Sequence, residues 1–261
     1  MPESALHEQA GFIYDDLRLR SQPIAVKFLD KAEFPEKTRR PSQILGKRVT
    51  ICQGVTLART YGWSVGLGRE DLICVPAMIA FGFTPARDQK AVMRKLLCNV
   101  TLSSDMDTAG VETDSMFILE KNPGKGIYLA PLARSLMSPD TIVIFGNPAQ
   151  IMRLIQAWVY VKGTRVTGNF GGKIECTEYL IGPFSDQTAR VAIPGNGDRI
   201  FSMTQDDELA FAMPAQGMDI LIEGLQKAGK ALGARYPVTF YQNFQPEFPK
   251  YYKELGSELG I

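Results

Sequence analysis

Apolar positions along the chain follow two different periods, which predict strands and helices in alternation. Short apolar runs predict extended segments at 24–29, 63–67, 127–130, 141–145, 164–168, 189–193, 199–203 and 236–241. Runs with a three-to-four-residue period predict helices at 4–20, 42–61, 85–98, 113–120, 149–162, 218–232 and 246–259, and shorter helices that begin near 74, 176 and 206. This alternation favours an α/β architecture.

Two stretches of the chain resemble one another, and each carries a cysteine at the same place. Residues 58–83 align with residues 159–184, which matches Cys74 with Cys176 when one single-residue gap is allowed on each side of the cysteine. A strand and a helix of similar pattern precede both stretches. Internal repeats of this kind indicate related structural units.

The repeat therefore predicts an α/β fold of two pseudo-repeated β-α-β-α halves that pack about a pseudo-two-fold axis. An insertion and a C-terminal helical tail complete the chain. The predicted divisions are an N-terminal helix at 1–22, a first half at 23–138 with an insertion at about 84–138, a second half at 139–233, and a tail at 234–261.

Composition and charge exclude several classes of partner. The chain has 261 residues and a net charge of +1, which argues against nucleic acid or an anionic membrane as a partner. No apolar run approaches the roughly 20 residues of a membrane helix. The N-terminal sequence shows no secretory signal, and four irregularly spaced cysteines suggest a reducing compartment, so a cytoplasmic location is expected.

The scarcity of histidine further limits the kinds of catalytic and metal sites that are expected. The single histidine is His7, in the predicted N-terminal helix. Ser–His or Cys–His nucleophile machinery and His-rich metal sites are therefore not expected. A thiol enzyme would need a lysine or a carboxylate as its base.

Three cysteines and one arginine form the main candidate site. Cys74 and Cys176 fall at predicted helix N-termini, where the helix dipole favours the thiolate and lowers the thiol pKa. Cys52 lies in the helix predicted at 42–61, and the repeat matches it with Arg153. If these helices cross near the axis, the four side chains meet in one pocket.

Such a pocket suits an iron–sulfur cluster with one open iron, or a small anion. The alternative is that the cysteines serve as small core residues, since free cysteine is often buried. Cys98 lies outside the repeat; it is expected to be structural and is kept as a candidate fourth ligand.

Glycine-rich turns offer a second candidate site. Gly168, Gly171 and Gly172 lie between a predicted strand and the helix that carries Cys176. They match neither dinucleotide nor P-loop patterns, so ordinary turn chemistry is the alternative. Asp198 and Arg199 follow the turn after Pro194 and are further candidates for ligand binding.

These blocks together resemble a known family. The segments CQGVTLAR, EDLICVPAMIAFGF, PDTIVIFGNPAQIMRLIQA, ECTEYL and PGNGDR, in this order, are similar to domain of unknown function 169, the uncharacterised ArCR family of largely anaerobic prokaryotes. The resemblance spans about residues 20–232. It implies a cysteine at each of the positions of Cys52, Cys74 and Cys176, and often a further cysteine where this chain has Gly195. The family implies no established reaction.

Two hypotheses follow from the sequence. The first is a protein that binds an iron–sulfur cluster or another thiolate-ligated metal centre between its halves, with Cys52, Cys74 and Cys176 as ligands. The second is a binding or sensing module for an anionic small molecule in the cleft between the halves. A redox partner and a homo-oligomer are compatible with the first, and the sequence does not decide whether the protein is an enzyme.

Overall fold

Helices surround one antiparallel sheet in the computed structural model, which describes residues 3–85, 87–119, 126–238 and 249–260. The strands are β1 (Ile24–Leu29), β2 (Val65–Gly68), β3 (Gly126–Pro131), β4 (Thr141–Gly146), β5 (Arg190–Ala192) and β6 (Leu209–Pro214). The α-helices within the described residues are α1 (Glu3–Asp16), α2 (Pro41–Ile44), α3 (Ile51–Arg59), α4 (Val75–Ala80), α5 (Gln89–Asn99), α6 (Met106–Ser115), α7 (Pro148–Lys162), α8 (Gly182–Asp186), α9 (Asn196–Phe201), α10 (Met218–Lys227) and α11 (Lys250–Leu259). None of these helices combines the length and apolar character that a bilayer span requires.

The sheet consists of two half-sheets that meet at its centre. The strand order is β2-β3-β1-β4-β6-β5, and every neighbouring pair is antiparallel. β1 and β4 join the half-sheets through three residue pairs, which run from Ile24↔Val143 through Ala25↔Ile142 to Val26↔Thr141. By contrast, β1 pairs with β3, and β4 with β6, along the full length of each strand.

Asp140 extends this short central ladder. Its backbone N–H donates to the carbonyl of Val26 at 2.8 Å. Its carboxylate accepts from the backbone N–H of Phe28 at 2.8 Å and from Lys27 Nζ at 2.6 Å. One side chain therefore satisfies the backbone of β1 where β4 no longer pairs with it.

Each face of the sheet carries its own apolar layer. Successive side chains of a strand point to opposite faces, so Ile24, Val26 and Phe28 face one layer and Ala25 faces the other. Helices α3, α4 and α5 cover the first face, which we call the α3 face. Helices α1, α7 and α10 cover the second, which we call the α7 face.

Helix α3 lies close to the sheet because of Gly54. A Cβ at this position would stand 2.7 Å from Leu67 Cδ1 and 3.3 Å from Leu129 Cδ1. A larger residue would therefore require the Leu67 side chain or the helix to move. The helix begins at a capping box, in which Thr50 Oγ1 accepts from the Gln53 backbone N–H at 3.0 Å and Gln53 Oε1 accepts from the Thr50 backbone N–H at 2.8 Å.

A buried ion pair also links α3 to the segment before β6 on the α3 face. Arg59, at the end of α3, donates to both carboxylate oxygens of Glu208 at 2.7 and 3.0 Å. Their side chains are 3% and 6% exposed, and the guanidinium also lies 4.2 Å from the centre of the Phe145 ring. Removing one member would leave the other charged and buried without a partner.

The mixture of helices and strands is as predicted, but several elements differ. The helix expected at 42–61 is split into α2 and α3, because Gly46 takes a left-handed conformation between them. Residues 164–168 form no strand and make a single isolated bridge, Thr167↔Arg190. The strand expected at 199–203 is instead the helix α9. The helix expected near 206 is the approach to β6, and most of the segment expected at 236–241 lies outside the described residues.

The ion pair leads to a stability prediction. We expect Arg59→Met or Glu208→Leu alone to lower the free energy of unfolding by about 3–5 kcal/mol, because each leaves an unpaired buried charge. The double substitution should cost less than the sum of the two. Urea unfolding monitored by circular dichroism measures these differences.

The exposed pair Arg20–Asp207 provides the matched control, since its side chains are 63% and 50% exposed. Arg20→Ala should change the free energy of unfolding by no more than about 0.5 kcal/mol. Additive effects of the two core substitutions would show that Arg59 and Glu208 do not interact in solution.

Candidate functional site

Three cysteines from distant parts of the chain line one cavity on the α3 face. The cavity has a volume of about 200 Å³, and Cys52, Cys74 and Cys176 all contribute to its wall. A Cβ at Gly197 would lie 3.7 Å from Cys52 Sγ, which places α9 directly beside this thiol. The predicted convergence of these three residues is therefore found in the structure.

Each of the three cavity cysteines lies at the start of a helical segment. Cys52 is in the first turn of α3, not in the middle of a helix as the sequence suggested, because α3 begins at Ile51. Cys74 directly precedes α4. Cys176 directly precedes a five-residue π-helical segment (Thr177–Ile181) that continues into α8. All four cysteines of the chain are free thiols.

A buried carboxylate lies beside the thiols. Asp198 in α9 is 2% exposed, and it accepts hydrogen bonds from Tyr179 Oη at 2.6 Å and from the Gly195 backbone N–H at 3.0 Å. Burial raises the pKa of Asp198, although these bonds and one from the Cys52 thiol oppose the shift. Burial and the nearby Asp198 charge likewise raise the pKa of Tyr179 well above its ordinary value.

The thiol pKa values move opposite to the expectation from the helix dipole. Burial raises the pKa of Cys74, and the neighbouring acidic groups add to this. A hydrogen bond with the Cys52 thiol, together with burial, raises the pKa of Cys176 well above its usual range. The expected lowering was wrong, because burial is the largest cause of the shift at Cys74 and the hydrogen bond with Cys52 is the largest at Cys176.

Glu175 and Lys173 are site residues that the sequence did not single out. Glu175 is 3% exposed, accepts from the Gly171 backbone N–H at 2.6 Å and lines the cysteine cavity. Burial raises its pKa to about 7. Lys173 is the single cation among the described residues that line the cavity, and its Nζ is already bound to Glu112 Oε2 at 3.0 Å. The sequence holds no periodic or motif signal for either residue.

The cavity is therefore rich in groups that become negative and poor in positive charge. Three thiols and the carboxyl groups of Asp198 and Glu175 surround it. In the part of the chain that the structure describes, no three Cys, His, Asp or Glu side chains are already arranged to hold a metal ion. The cavity is lined by side chains of the types that bind metals, but these side chains do not form a coordination shell.

Arg153 does not join this cavity. It lies in α7, which covers the opposite face of the sheet, so the repeat match between Cys52 and Arg153 does not correspond to proximity. Its guanidinium donates to Gln156 Oε1 at 2.8 Å and to backbone carbonyls near the end of α10. Cys98, in α5, is likewise not among the residues that line the cavity.

The glycine-rich loop lies beside the cavity rather than in it. Gly171 lines a smaller polar cavity of about 110 Å³ that shares Lys173 and Glu175 with the first. Gly172 has the positive φ of a tight turn, and its carbonyl accepts from the Asn196 backbone. A Cβ at Gly168 would stand 2.2 Å from the Val191 carbonyl, so this glycine permits a close backbone approach.

Asp198 and Arg199 are adjacent in sequence, but their side chains lie on different sides of α9. Because α9 begins at Asn196, Asp198 points inward while Arg199 lies on the outer side and donates to the Gln205 carbonyl at 2.7 Å. Arg199 does not line the cysteine cavity.

Comparison with known proteins places these residues in a wider group. A family model described as uncharacterised ArCR, domain of unknown function 169, matches residues 13–224, a range that includes all the cavity residues named above. An uncharacterized protein of Methanocaldococcus jannaschii is 23% identical over 228 residues, which cover 87% of this chain and 96% of that protein. No solved structure matches the chain.

The Tyr179–Asp198 hydrogen bond leads to a second prediction. Tyr179→Phe should lower the free energy of unfolding by about 1–3 kcal/mol, because the buried Asp198 carboxyl group loses a donor. The same substitution combined with Asp198→Asn should cost less than the two changes added together, as measured by urea unfolding.

Tyr160→Phe is the matched control, since Tyr160 is 54% exposed. It should leave stability within about 0.5 kcal/mol of the wild-type value. A Tyr179→Phe protein as stable as the wild type would contradict a buried hydrogen bond between these groups.

Proposed function

The chain belongs to the uncharacterised ArCR family, domain of unknown function 169, and from this premise we propose that it binds a thiolate-ligated metal centre, with an iron–sulfur cluster as the first candidate. Cys52, Cys74 and Cys176 are the proposed ligands. The observation that carries the proposal is that the fold brings these three thiols to the wall of one small cavity.

The donor set fits soft metals. Cysteine sulfur is the usual ligand of iron–sulfur clusters, zinc and copper(I), and three cysteines leave one metal position open. Asp198 or an exogenous molecule can fill that position, because the carboxyl group lies beside Cys52. Such a centre, when bound, would supply electron transfer or Lewis-acid chemistry.

Charge favours a cation over an anion in this cavity. The wall contains three thiols and two carboxyl groups, whereas its one cation, Lys173, is engaged by Glu112. Since a metal ion must bind thiolates, it would displace the thiol protons and compensate the negative charges that remain. The alternative, an anionic small molecule in the same cavity, has less support because the wall offers it little positive charge.

The cavity draws its residues from both predicted halves, and we propose that the halves are related by a pseudo-two-fold axis through the centre of the sheet. Strand register supports this, because Ala25 pairs with Ile142 in the middle of the three-residue ladder. The first residues of β1 and β4 each pair with the proline that ends a partner strand, Pro131 or Pro214. Helices α3 and α7 lie on opposite faces, so the proposed symmetry is limited to the sheet and the cysteine-bearing turns.

Four free cysteines, three of them in one site, fit a reducing compartment, so the cytoplasm is the proposed location. A redox protein is the proposed partner if the centre transfers electrons.

Anaerobic reconstitution tests the proposal. Protein purified without oxygen should, on incubation with ferrous iron and sulfide, retain iron and acid-labile sulfide and absorb in the visible range. Each of Cys52→Ser, Cys74→Ser and Cys176→Ser should reduce the retained iron by more than about half, because each removes one of three ligands.

Cys98→Ser is the matched control and should bind as the wild type does. If zinc or cobalt is retained through the same three cysteines while sulfide is not, the centre is a mononuclear thiolate site. Failure of the wild type to retain iron, zinc or cobalt would overturn the proposal.

A further inference from the structure

A second and larger cleft lies on the α7 face of the sheet, away from the cysteine cavity. Its volume is about 610 Å³, within the roughly 300–1,000 Å³ that is typical of small-molecule sites. Residues of α7, the stretch that follows α7 and the turn after α10 form its walls. The cysteine cavity shares none of these lining residues.

The walls of the cleft are mainly apolar. Ile155, Val159 and Val166 line it, and Ile155 and Val166 continue into the apolar layer of the α7 face. Tyr160 adds an aromatic ring that is 54% exposed. These side chains suit a hydrocarbon or aromatic body, which would be removed from water on binding.

The charge at the cleft is positive. Arg165 is the one charged side chain among the described residues that line it. Directly behind the wall lies Arg153, whose side chain is 3% exposed and bonds to neutral acceptors: Gln156 Oε1 at 2.8 Å, the Ala228 carbonyl at 3.4 Å and the Leu225 carbonyl at 3.4 Å. Within the described chain no carboxylate lies within 4.0 Å of Arg153, and its Nε has no hydrogen-bond partner.

The carbonyl groups that Arg153 contacts lie near the C-terminal end of α10, so the helix dipole compensates part of its charge. Arg153 also acts on Asp16, because burial raises the pKa of this carboxyl group and the charge of Arg153 lowers it. Gln156, which also lines the cleft, gives its oxygen to Arg153, so its amide N–H groups take no part in that bond.

We propose that this cleft binds a small organic anion, a carboxylate with a hydrocarbon or aromatic body, independently of the metal centre. Arg165 and the Gln156 amide would receive the carboxylate, and Ile155, Val159 and Val166 would cover the body. The observations that carry the proposal are the apolar walls, the lack of acidic side chains among the described residues that line them, and a buried guanidinium behind them that has no carboxylate partner within the described chain.

Titration of the full chain with octanoate, followed by amide chemical shifts in NMR, tests this site. Octanoate should shift the amides of the cleft saturably, with a Kd below about 10 mM. Octanol, which has the body without the charge, should bind about fivefold more weakly, since one exposed charge contact is worth about 1 kcal/mol. Inorganic phosphate, which has the charge without the body, should give no saturable shift.

Two variants at exposed positions locate the binding. Arg165→Gln should weaken octanoate binding about fivefold and leave octanol binding unchanged, because it removes only the charge contact. Tyr160→Asp should weaken octanoate in the same way by placing a negative charge in the cleft. Arg134→Gln makes the same charge change at a distant exposed position and should have no effect.

Three results would each overturn the inference: no saturable shift with octanoate, equal affinity for octanoate and octanol, or shifts that cluster around the cysteine cavity. The metal proposal is tested by different variants and a different measurement. Loss of either property therefore leaves the other standing.

Discussion

The architecture depends on a short central pairing. Three residue pairs between β1 and β4, extended by Asp140, form the strand pairing between the two half-sheets in the described chain. The elements that carry Cys52 and Cys74 follow strands of one half-sheet, whereas Cys176 and Asp198 belong to segments of the other. The cavity can therefore exist only when the two half-sheets are in register. The Arg59–Glu208 pair and the contact of α3 with α9 fix that register from the α3 face.

The cavity illustrates how burial acts on thiols and carboxyl groups that are candidates for metal binding. Thiols and carboxyl groups that lose hydration hold their protons more tightly, and they do so more strongly when several share one space. A soft cation reverses this preference, because it binds the deprotonated sulfur directly. An apolar core cysteine would gain nothing from having two other thiols and a carboxyl group as neighbours. The grouping of acidic side chains is thus a stronger indication of chemistry than the burial of any one of them.

The sequence predicted best those features that local pattern determines. β1, β4 and α7 were predicted almost to the residue, because apolar runs, an Asn-Pro start and a terminal Gly163 mark them. The convergence of the cysteines was predicted from the repeat. β6 was missed because its run follows a polar, helix-like start, and α9 was missed because its glycines and proline predict a turn. Arg153 was placed wrongly relative to the thiols because a repeat in sequence does not say on which face of a sheet a helix packs. The direction of the thiol pKa shifts depended on burial, which has no local signal.

Gly54 connects the interior of the protein to the chemistry of its surface cavity. Cys52 lies two residues before Gly54 on α3. The distance between α3 and the leucines of the sheet therefore also determines how far the Cys52 sulfur extends into the cavity. Metal–sulfur bonds tolerate changes of only about 0.2 Å. The spacing of the proposed ligands consequently depends on hydrocarbon packing. Substitutions in the leucine layer would change the geometry of the proposed metal site without altering any of the three cysteines.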